Sequence, residues 1–253
     1  MNNLNINLSG KKALVLGASR GIGLATAKVL SESGAEVLVV SRSEIIAESF
    51  KPEFFLKYDL ESSEARAECL QEITNIGFLP DIIVHNLGGN LGLTNPLMTS
   101  SDFFRVLKFN LETAIDANNR FLPHMIEKGW GRIVHTSSIS ALENQGPPSY
   151  CAAKAALNAY VRSFGRYVAK YGIATSSVMP GAIWTNGGYW DTQSQENPAH
   201  VEDYLKNRMA INRFGTVEEI SNFIVFLCSD HASFVTGSNF LVDGGQGRGF
   251  QHD

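Results

Sequence analysis

The sequence predicts an α/β protein with a doubly wound parallel sheet of about seven strands and helices on both faces. Three observations support this fold class. Short apolar runs recur along the chain, and their continuous rather than alternating character is typical of strands buried on both faces. Helical patterns separate these runs, so strand and helix alternate. A glycine-rich turn joins the first run to the first helical pattern, as in dinucleotide-binding folds.

Five strands and two helices are predicted directly from these patterns. The strand runs are "ALVL" at 13–16, "VLVV" at 37–40, "DIIV" at 81–84, "RIVH" at 132–135 and "SSVM" at 176–179. The helical stripes, with apolar residues three or four apart, are Ile22, Ala25, Val29 and Leu30, and then Leu157, Tyr160, Val161 and Phe164.

The alternation stops at one segment, roughly residues 185–212, which is polar and aromatic and has no strand signal. Irregular segments of this length are often lids over active sites, so we expect a substrate lid here. No linker, repeat or low-complexity stretch divides the chain. Residues 1–253 are therefore predicted to form one domain.

Composition and charge exclude several classes of function. The formal net charge of −4 gives no electrostatic case for nucleic-acid binding. No apolar stretch is long enough for a membrane span, and the first ten residues do not resemble a secretory signal. The three cysteines, Cys69, Cys151 and Cys228, have neither metal-site spacing nor the even number of a disulfide framework. We expect a cytoplasmic protein with reduced thiols and no metal.

The glycine-rich turn is the first candidate binding site. Gly17, Gly21 and Gly23 lie between a predicted buried strand and a predicted helix. Glycines there let the backbone bend tightly and approach a pyrophosphate, which the helix N-terminus attracts. A plain glycine-rich turn is the alternative, and the position directly after a strand favours the binding site.

Tyr150 and Lys154 are the first candidate catalytic pair, in the stretch "SYCAAKAAL" at 149–157. Residues four apart lie on one face of a helix. A free tyrosine has a pKa of about 10, and a nearby ammonium group favours the phenolate and lowers that value. The pair could thus exchange a proton near neutral pH, although a solvated surface pair has the same spacing.

Together with several further stretches, the glycine turn and the Tyr150 segment resemble, in order along the chain, the classical short-chain dehydrogenases/reductases from about Leu8 to about Gly245. They are "GASRGIG" at 17–23, "VHNLGG" at 84–89, "KFNLETA" at 108–114, "GRIVHTSSIS" at 131–140, "SYCAAKAAL" at 149–157, "MPGAIWT" at 179–185 and the C-terminal "RFGTVEEISNFIVFLCSDHASFVTGSNFLVDGG". The resemblance implies a Rossmann-type domain, an enzyme that transfers hydride between nicotinamide and a carbonyl or alcohol, and a homotetramer or homodimer.

The resemblance also implies a catalytic tetrad of Asn110, Ser138, Tyr150 and Lys154. Tyr150 would exchange the proton of the substrate oxygen, to which Ser138 would also bond. Lys154 would bond the nicotinamide ribose, and Asn110 would hold a water that connects Lys154 to solvent. Alignment on "GRIV" favours Ser138, whereas the family's usual distance to the tyrosine favours Ser137; we prefer Ser138, because shifting a strand by one residue flips its side chains.

The cofactor expected is NADP(H), with NAD(H) as the alternative. An acidic residue after the second strand would bond the 2′-hydroxyl of NAD, but Ser41 and Arg42 stand there. Arg42, with Arg20 of the glycine turn, suits a 2′-phosphate instead, unless both are merely solvated. The remaining cofactor residues expected, mainly by resemblance, are Gly17, Ser19, Gly21, Ile22, Gly23, Asp59, Leu60, Asn86, Gly88, Pro180, Gly181, Ile183 and Thr185, with Tyr150 and Lys154. Asp59 could instead cap the next helix.

Two positions depart from the family pattern in "VHNLGG". His85 and Leu87 replace an asparagine and an alanine. We interpret His85 as a packed structural residue because it follows a buried strand, and we expect Leu87 to crowd the adenosine side of the site.

The substrate is expected to be a small carbonyl compound or alcohol. The polar residues Glu143, Asn144, Gln145 and Asn90, and the aromatic residues Trp184, Tyr189 and Trp190, would suit a sugar-like compound if they line the pocket. They could equally face water or pack the lid. A 3-oxoacyl thioester reductase is the alternative, although we identify no basic patch for an acidic carrier protein. A non-catalytic NADP(H)-binding regulatory module is the alternative of another class, and the complete tetrad argues against it.

Overall fold

The computed structural model describes residues 5–45 and 50–249 and contains one parallel sheet of seven strands with the order β3-β2-β1-β4-β5-β6-β7. The strands are β1 (Lys12–Leu16), β2 (Glu36–Ser41), β3 (Phe54–Lys57), β4 (Ile82–His85), β5 (Gly131–Thr136), β6 (Ile173–Pro180) and β7 (Ser238–Val242). The α-helices of the described residues are α1 (Gly21–Glu32), α2 (Ser63–Asn75), α3 (Ser100–Lys128), α4 (Pro148–Val168), α5 (Tyr189–Glu196), α6 (Pro198–Arg208) and α7 (Val217–Leu227).

The predicted fold class is confirmed. The five apolar runs lie in β1, β2, β4, β5 and β6, and every pairing in the sheet is parallel. Both helical stripes lie in helices, α1 and α4.

Two apolar cores cover the faces of the sheet, which explains why the strand runs are continuous. Successive side chains of a strand point to opposite faces. Val15 therefore packs with Leu30 and Ile224 on the face of α1 and α7. Leu14 packs with Phe121 on the face of α2 and α3. Strands β1 to β6 contribute side chains to both cores, whereas β7 contributes Phe240 and Val242 to the first core only.

The chain reverses its direction of winding between β1 and β4, which are neighbours in the sheet. Ligands of doubly wound sheets bind at such a point, beyond the carboxyl ends of the strands. The glycine turn after β1 and the "NLGG" stretch after β4 both lie at this edge. The Asn86 Nδ2 donates to the Gly17 carbonyl oxygen at 2.9 Å and ties the two loops together.

The segment 185–212 differs from the expected irregular stretch because it contains the short helices α5 and α6. Asn197 caps α6 by accepting a hydrogen bond from the His200 backbone at 3.3 Å, and Pro198 occupies the first turn. Neither helix has a fully buried residue, so no apolar period in the sequence marks them. Across the described parts of the chain, no helix combines the length and apolarity that crossing a membrane requires.

Candidate active site

The glycine turn leaves the start of α1 open to an anion. Gly17 and Gly21 have φ values of +85° and +59°, which favour glycine. Arg20 precedes α1 without a side-chain cap, and the first turn has no acidic residue, so the first amides of the helix are available to a phosphate. Gly23 does not line the cleft: a Cβ there would lie 2.3 Å from the Gly17 carbonyl oxygen, so it permits the close packing of turn and helix.

A cleft of about 920 Å³ lies above the carboxyl ends of the strands. It brings together the expected residues Gly17, Ser19, Arg20, Gly21, Ile22, Ser41, Arg42, Asp59, Leu60, Asn86, Gly88, Ser138, Tyr150, Lys154, Pro180, Gly181, Ile183 and Thr185. Gly23 and Asn110 lie behind its surface. The volume, the open start of α1 and the glycines without side chains fit a dinucleotide. No group of three or more His, Cys, Asp or Glu side chains suited to a metal ion occurs in residues 5–45 and 50–249.

The residues expected to select the cofactor lie at one end of the cleft. Arg42 is exposed directly after β2, whereas the Ser41 hydroxyl donates to the Ser43 carbonyl oxygen at 2.5 Å. The Arg20 guanidinium donates to the Gly187 carbonyl oxygen at 3.1 Å, so it also contacts the segment before α5. Asp59 is not a helix cap, because Ser62 caps α2 and the Asp59 carboxylate accepts from the Glu61 backbone at 3.1 Å.

Lys154 is buried at the centre of the cleft. Its Nζ donates to the Thr136 carbonyl oxygen at 2.9 Å and lies 5.7 Å from the centre of the Tyr150 ring. A Cβ at Gly88 would be 2.6 Å from this Nζ and 2.7 Å from the Asn110 Oδ1. The position of Gly88 therefore brings the "NLGG" loop against both side chains.

Asn110 is buried in α3 and fixes that same loop. Its Oδ1 accepts from the Gly89 backbone at 3.1 Å, and its Nδ2 donates to the carbonyl oxygens of Gly89 and Val106 at 2.8 Å each. These contacts make Asn110 a support of the loop beside Lys154.

Ser138, and not Ser137, faces Tyr150. The Ser137 hydroxyl is buried and points toward the Lys154 carbonyl oxygen at 3.5 Å. Ser138 lines the cleft together with Tyr150, and its hydroxyl donates to the Ser140 hydroxyl at 3.1 Å. This geometry supports the alignment on "GRIV".

Burial, rather than the charge of Lys154, has the largest effect on the pKa of Tyr150 in this structure. Burial raises the pKa of Tyr150 above its ordinary value, and the hydrogen bond with Ser138 opposes that effect only in part. Burial also lowers the pKa of Lys154 to about 8, so its amine remains mostly protonated at pH 7 but releases a proton more readily than an ordinary lysine. Tyr150 is thus a neutral phenol at pH 7, the form that can give up a proton.

A stacked histidine pair lies beneath this site. The rings of His85 and His135 are 4.5 Å apart and nearly parallel, and the His85 Nε2 hydrogen bonds with the Asn118 Oδ1 at 2.8 Å. Burial lowers the pKa of His85 to about 4 and that of His135 well below its ordinary value. Both rings are therefore neutral. The packing of His85 agrees with a structural residue, whereas nothing in the sequence marked His135.

The residues expected to contact substrate divide into two groups. Asn90, Tyr189 and Trp190 line the cleft, and Leu87 lines it close to Gly17. Glu143 does not offer a free carboxylate, because its Oε1 accepts hydrogen bonds from the backbone of Arg248 and Gly249 at 2.5 Å and 3.2 Å. Asn144 is exposed, Gln145 bonds with Glu143 at 3.4 Å, and Trp184 packs against Phe214.

Comparison with known proteins identifies the family. The family profile described as enoyl-(acyl carrier protein) reductase matches residues 17–246. A 3-oxoacyl-(acyl-carrier-protein) reductase, FabG, of Pseudomonas aeruginosa is 34% identical over 249 residues, which are 95% of this chain and 98% of that protein.

Two solved structures show the same architecture. A 3-oxoacyl (acyl-carrier-protein) reductase of Agrobacterium tumefaciens C58 with NADP bound has a TM-score of 0.87 and 30% identity, covering 96% of this chain and 98% of that one. The L-sorbose reductase of Gluconobacter frateurii, complexed with NADPH and L-sorbose, has a TM-score of 0.88 and 26% identity, covering 98% and 100%. The chain therefore belongs to the classical short-chain dehydrogenases/reductases, a family of oxidoreductases that act on carbonyl or alcohol groups with nicotinamide cofactors.

Proposed function

We propose that this protein is an NADP(H)-dependent ketone reductase in which Tyr150 gives a proton to the substrate carbonyl oxygen. The observation that carries the proposal is the convergence of Tyr150, Ser138 and Lys154 on one cleft that begins at the glycine turn. Arg42 at the far end of that cleft supports NADP(H), as do the NADP and NADPH complexes of the two structural neighbours.

The chain's own residues divide the work on the substrate oxygen. When bound, the reduced nicotinamide supplies the hydride. Tyr150 holds the proton, because its raised pKa keeps the phenol neutral. Ser138, which lines the same cleft as Tyr150, orients the same oxygen and stabilises the charge that develops on it. Lys154, with its pKa lowered to about 8, is able to replace the lost proton.

Two substrate classes are proposed in order. A 3-oxoacyl thioester comes first, since the curated relatives at 32% and 34% identity are 3-oxoacyl-(acyl-carrier-protein) reductases. A polyhydroxylated ketone comes second, since Asn90 and Trp190 line the cleft and a neighbour at 26% identity binds L-sorbose. The Glu143 carboxylate already accepts a hydrogen bond from the Arg248 backbone, so it does not support the binding of a sugar hydroxyl.

The proposed assembly and location follow the family. We propose a homo-oligomer, a tetramer or dimer, in the cytoplasm. Exposed Phe104 on α3, Tyr167 on α4 and Phe234 before β7 support the assembly, because large apolar side chains at such positions are often covered by a second copy. We also propose that residues 185–212 act as the substrate lid.

The test is a panel of carbonyl compounds with NADPH and, separately, NADH. The panel includes acetoacetyl-coenzyme A and L-sorbose, and each compound with cofactor but without protein is the control. Oxidation of NADPH with the compounds of one class supports the proposal and identifies the substrate class. Binding of NADPH without turnover of any compound would favour the regulatory module, and turnover with NADH alone would overturn the role of Arg42.

A further inference from the structure

The chain after β7 contacts one wall of the cleft, at Ala182, and two segments that lie outside the cleft lining. We call residues 243–249 the C-terminal strap. It contacts the end of β6, the lid helix α6 and the loop that contains Glu143. The strap is therefore placed where it could hold the substrate pocket together.

Gln246 is the central contact of the strap. Its side chain is buried, and both ends of its amide are bonded. The Oε1 accepts from the Ala182 backbone at 2.7 Å, and the Nε2 donates to the Tyr204 hydroxyl at 2.7 Å. One amide thus joins the cleft wall after β6 to helix α6.

The surrounding backbone is shaped around this amide. Asp243 accepts hydrogen bonds from the backbone of Gly245 and Gly247 at 3.0 Å and 2.6 Å, which closes a turn that directs Gln246 inward. Gly181 leaves room for the amide, because a Cβ there would lie 2.7 Å from the Gln246 Oε1. The oxygen and the nitrogen of this buried amide are both hydrogen-bonded, and Gly181 leaves no free space beside it. Such an amide fixes the relative positions of the segments that it joins.

Tyr204 connects Gln246 to the cleft. The Tyr204 ring lies 4.2 Å from the Trp190 ring, which is 4.8 Å from Phe214. Trp190 lines the cleft itself. Loss of the bond from Gln246 would therefore free Tyr204 and, with it, the aromatic wall of the substrate pocket.

The strap is also fixed at its far end. The Glu143 carboxylate accepts from the backbone of Arg248 and Gly249, and the Arg248 guanidinium donates to the Asn207 carbonyl oxygen of α6. The loop after Ser138 and the lid helix are held by the same few residues.

We propose that Gln246 is a positioning residue that holds α6 and Trp190 in the substrate-binding arrangement and so helps to determine which substrates the enzyme accepts. The assignment of residues 185–212 as a lid and the choice of KM as a readout of substrate binding rest on the proposed function. The role of Gln246 in ordering α5 and α6 does not, and it has its own readout below.

The experiment compares Gln246→Met, Tyr204→Phe, the double variant and the control Gln71→Met in the full chain. Gln71 is a matched control because its amide is also bonded at both ends, to Asn75 at 2.7 Å and to Arg120 at 2.8 Å, but on helix α2. The readouts are hydrogen exchange over residues 189–208, the dissociation constant of NADPH, and KM and kcat with acetoacetyl-coenzyme A and L-sorbose.

Gln246→Met should speed exchange in residues 189–208 by about tenfold and raise KM by a similar factor, because two hydrogen bonds are lost. The dissociation constant of NADPH should stay within about twofold, and the double variant should behave like Gln246→Met alone. Unchanged exchange over 189–208 would overturn the proposal, even if the variant is less stable. If the wild-type protein turns over neither compound, the proposed function fails while hydrogen exchange still decides the role of Gln246.

Discussion

Substitution of Gly88 by alanine tests the geometry around Lys154. The added Cβ would lie 2.6 Å from the Lys154 Nζ and 2.7 Å from the Asn110 Oδ1. Ordinary contact distances between heavy atoms start at about 3.5 Å, so one of the two groups must move by about 1 Å. Asn110 is held by three hydrogen bonds to Gly89 and Val106. The end of the lysine chain should therefore move away from the Thr136 carbonyl oxygen.

Two magnitudes follow from that displacement. Overpacking of a close-packed site costs about 1–3 kcal/mol, which urea denaturation would measure as a lower free energy of unfolding. A misplacement of about 1 Å in a catalytic group can cost about a hundredfold in rate, so kcat for the reduction of the substrate found in the panel should fall by that factor.

The assay measures kcat for Gly88→Ala, Lys154→Met and the double variant under saturating NADPH. If the methyl group acts through the Lys154 Nζ, the double variant will be no slower than Lys154→Met alone. A Gly88→Ala protein that keeps kcat within about twofold of the wild-type value would refute the close approach of Gly88 and Lys154.

Three further predictions concern the turn, the cofactor and pH. Gly23→Ala should weaken NADPH binding strongly in fluorescence titration, because its Cβ would lie 2.3 Å from the Gly17 carbonyl oxygen; unchanged binding would contradict the packing of the turn. Arg42→Ala should weaken NADPH binding by about tenfold and leave NADH binding nearly unchanged, since only NADPH carries the 2′-phosphate; equal losses for both cofactors would contradict that role. For His85, the folded pKa of about 4 lies below the unfolded value of about 6.5, so its share of stability is lost as the pH falls through that range. Urea denaturation at pH 7.5 and pH 5 measures how much the free energy of unfolding falls between the two pH values. This fall should be about 2 kcal/mol smaller in His85→Asn than in the wild-type protein, and an equal fall in both would refute a neutral buried His85.

Much of the fold was predictable because its central strands are buried on both faces. Continuous apolar runs mark β1, β2, β4, β5 and β6 directly. The two outer strands, β3 and β7, have no such run: Phe54 and Lys57 are exposed in β3, and β7 is half-buried along its length. Only the count of about seven strands and the resemblance to the family anticipated them.

The cleft was predictable as a set of residues, because the carboxyl ends of parallel strands meet at one edge of the sheet. The pKa values of the side chains in the cleft were not predictable, since the pKa of Tyr150 depends on how deeply the folded chain buries its ring. Gln246 was missed for a related reason. A glutamine near the C-terminus has no local pattern, and its partners Ala182 and Tyr204 are 64 and 42 positions away in the sequence.

The most direct test of the central claim is the rate of NADPH oxidation by Tyr150→Phe with the substrate found in the panel, measured beside NADPH binding. The account predicts that the variant binds NADPH as the wild-type protein does and loses kcat by about a thousandfold, because phenylalanine has no proton to give. A Tyr150→Phe protein that binds NADPH and reduces the same compound at the wild-type rate would contradict the assignment of Tyr150 as the proton donor.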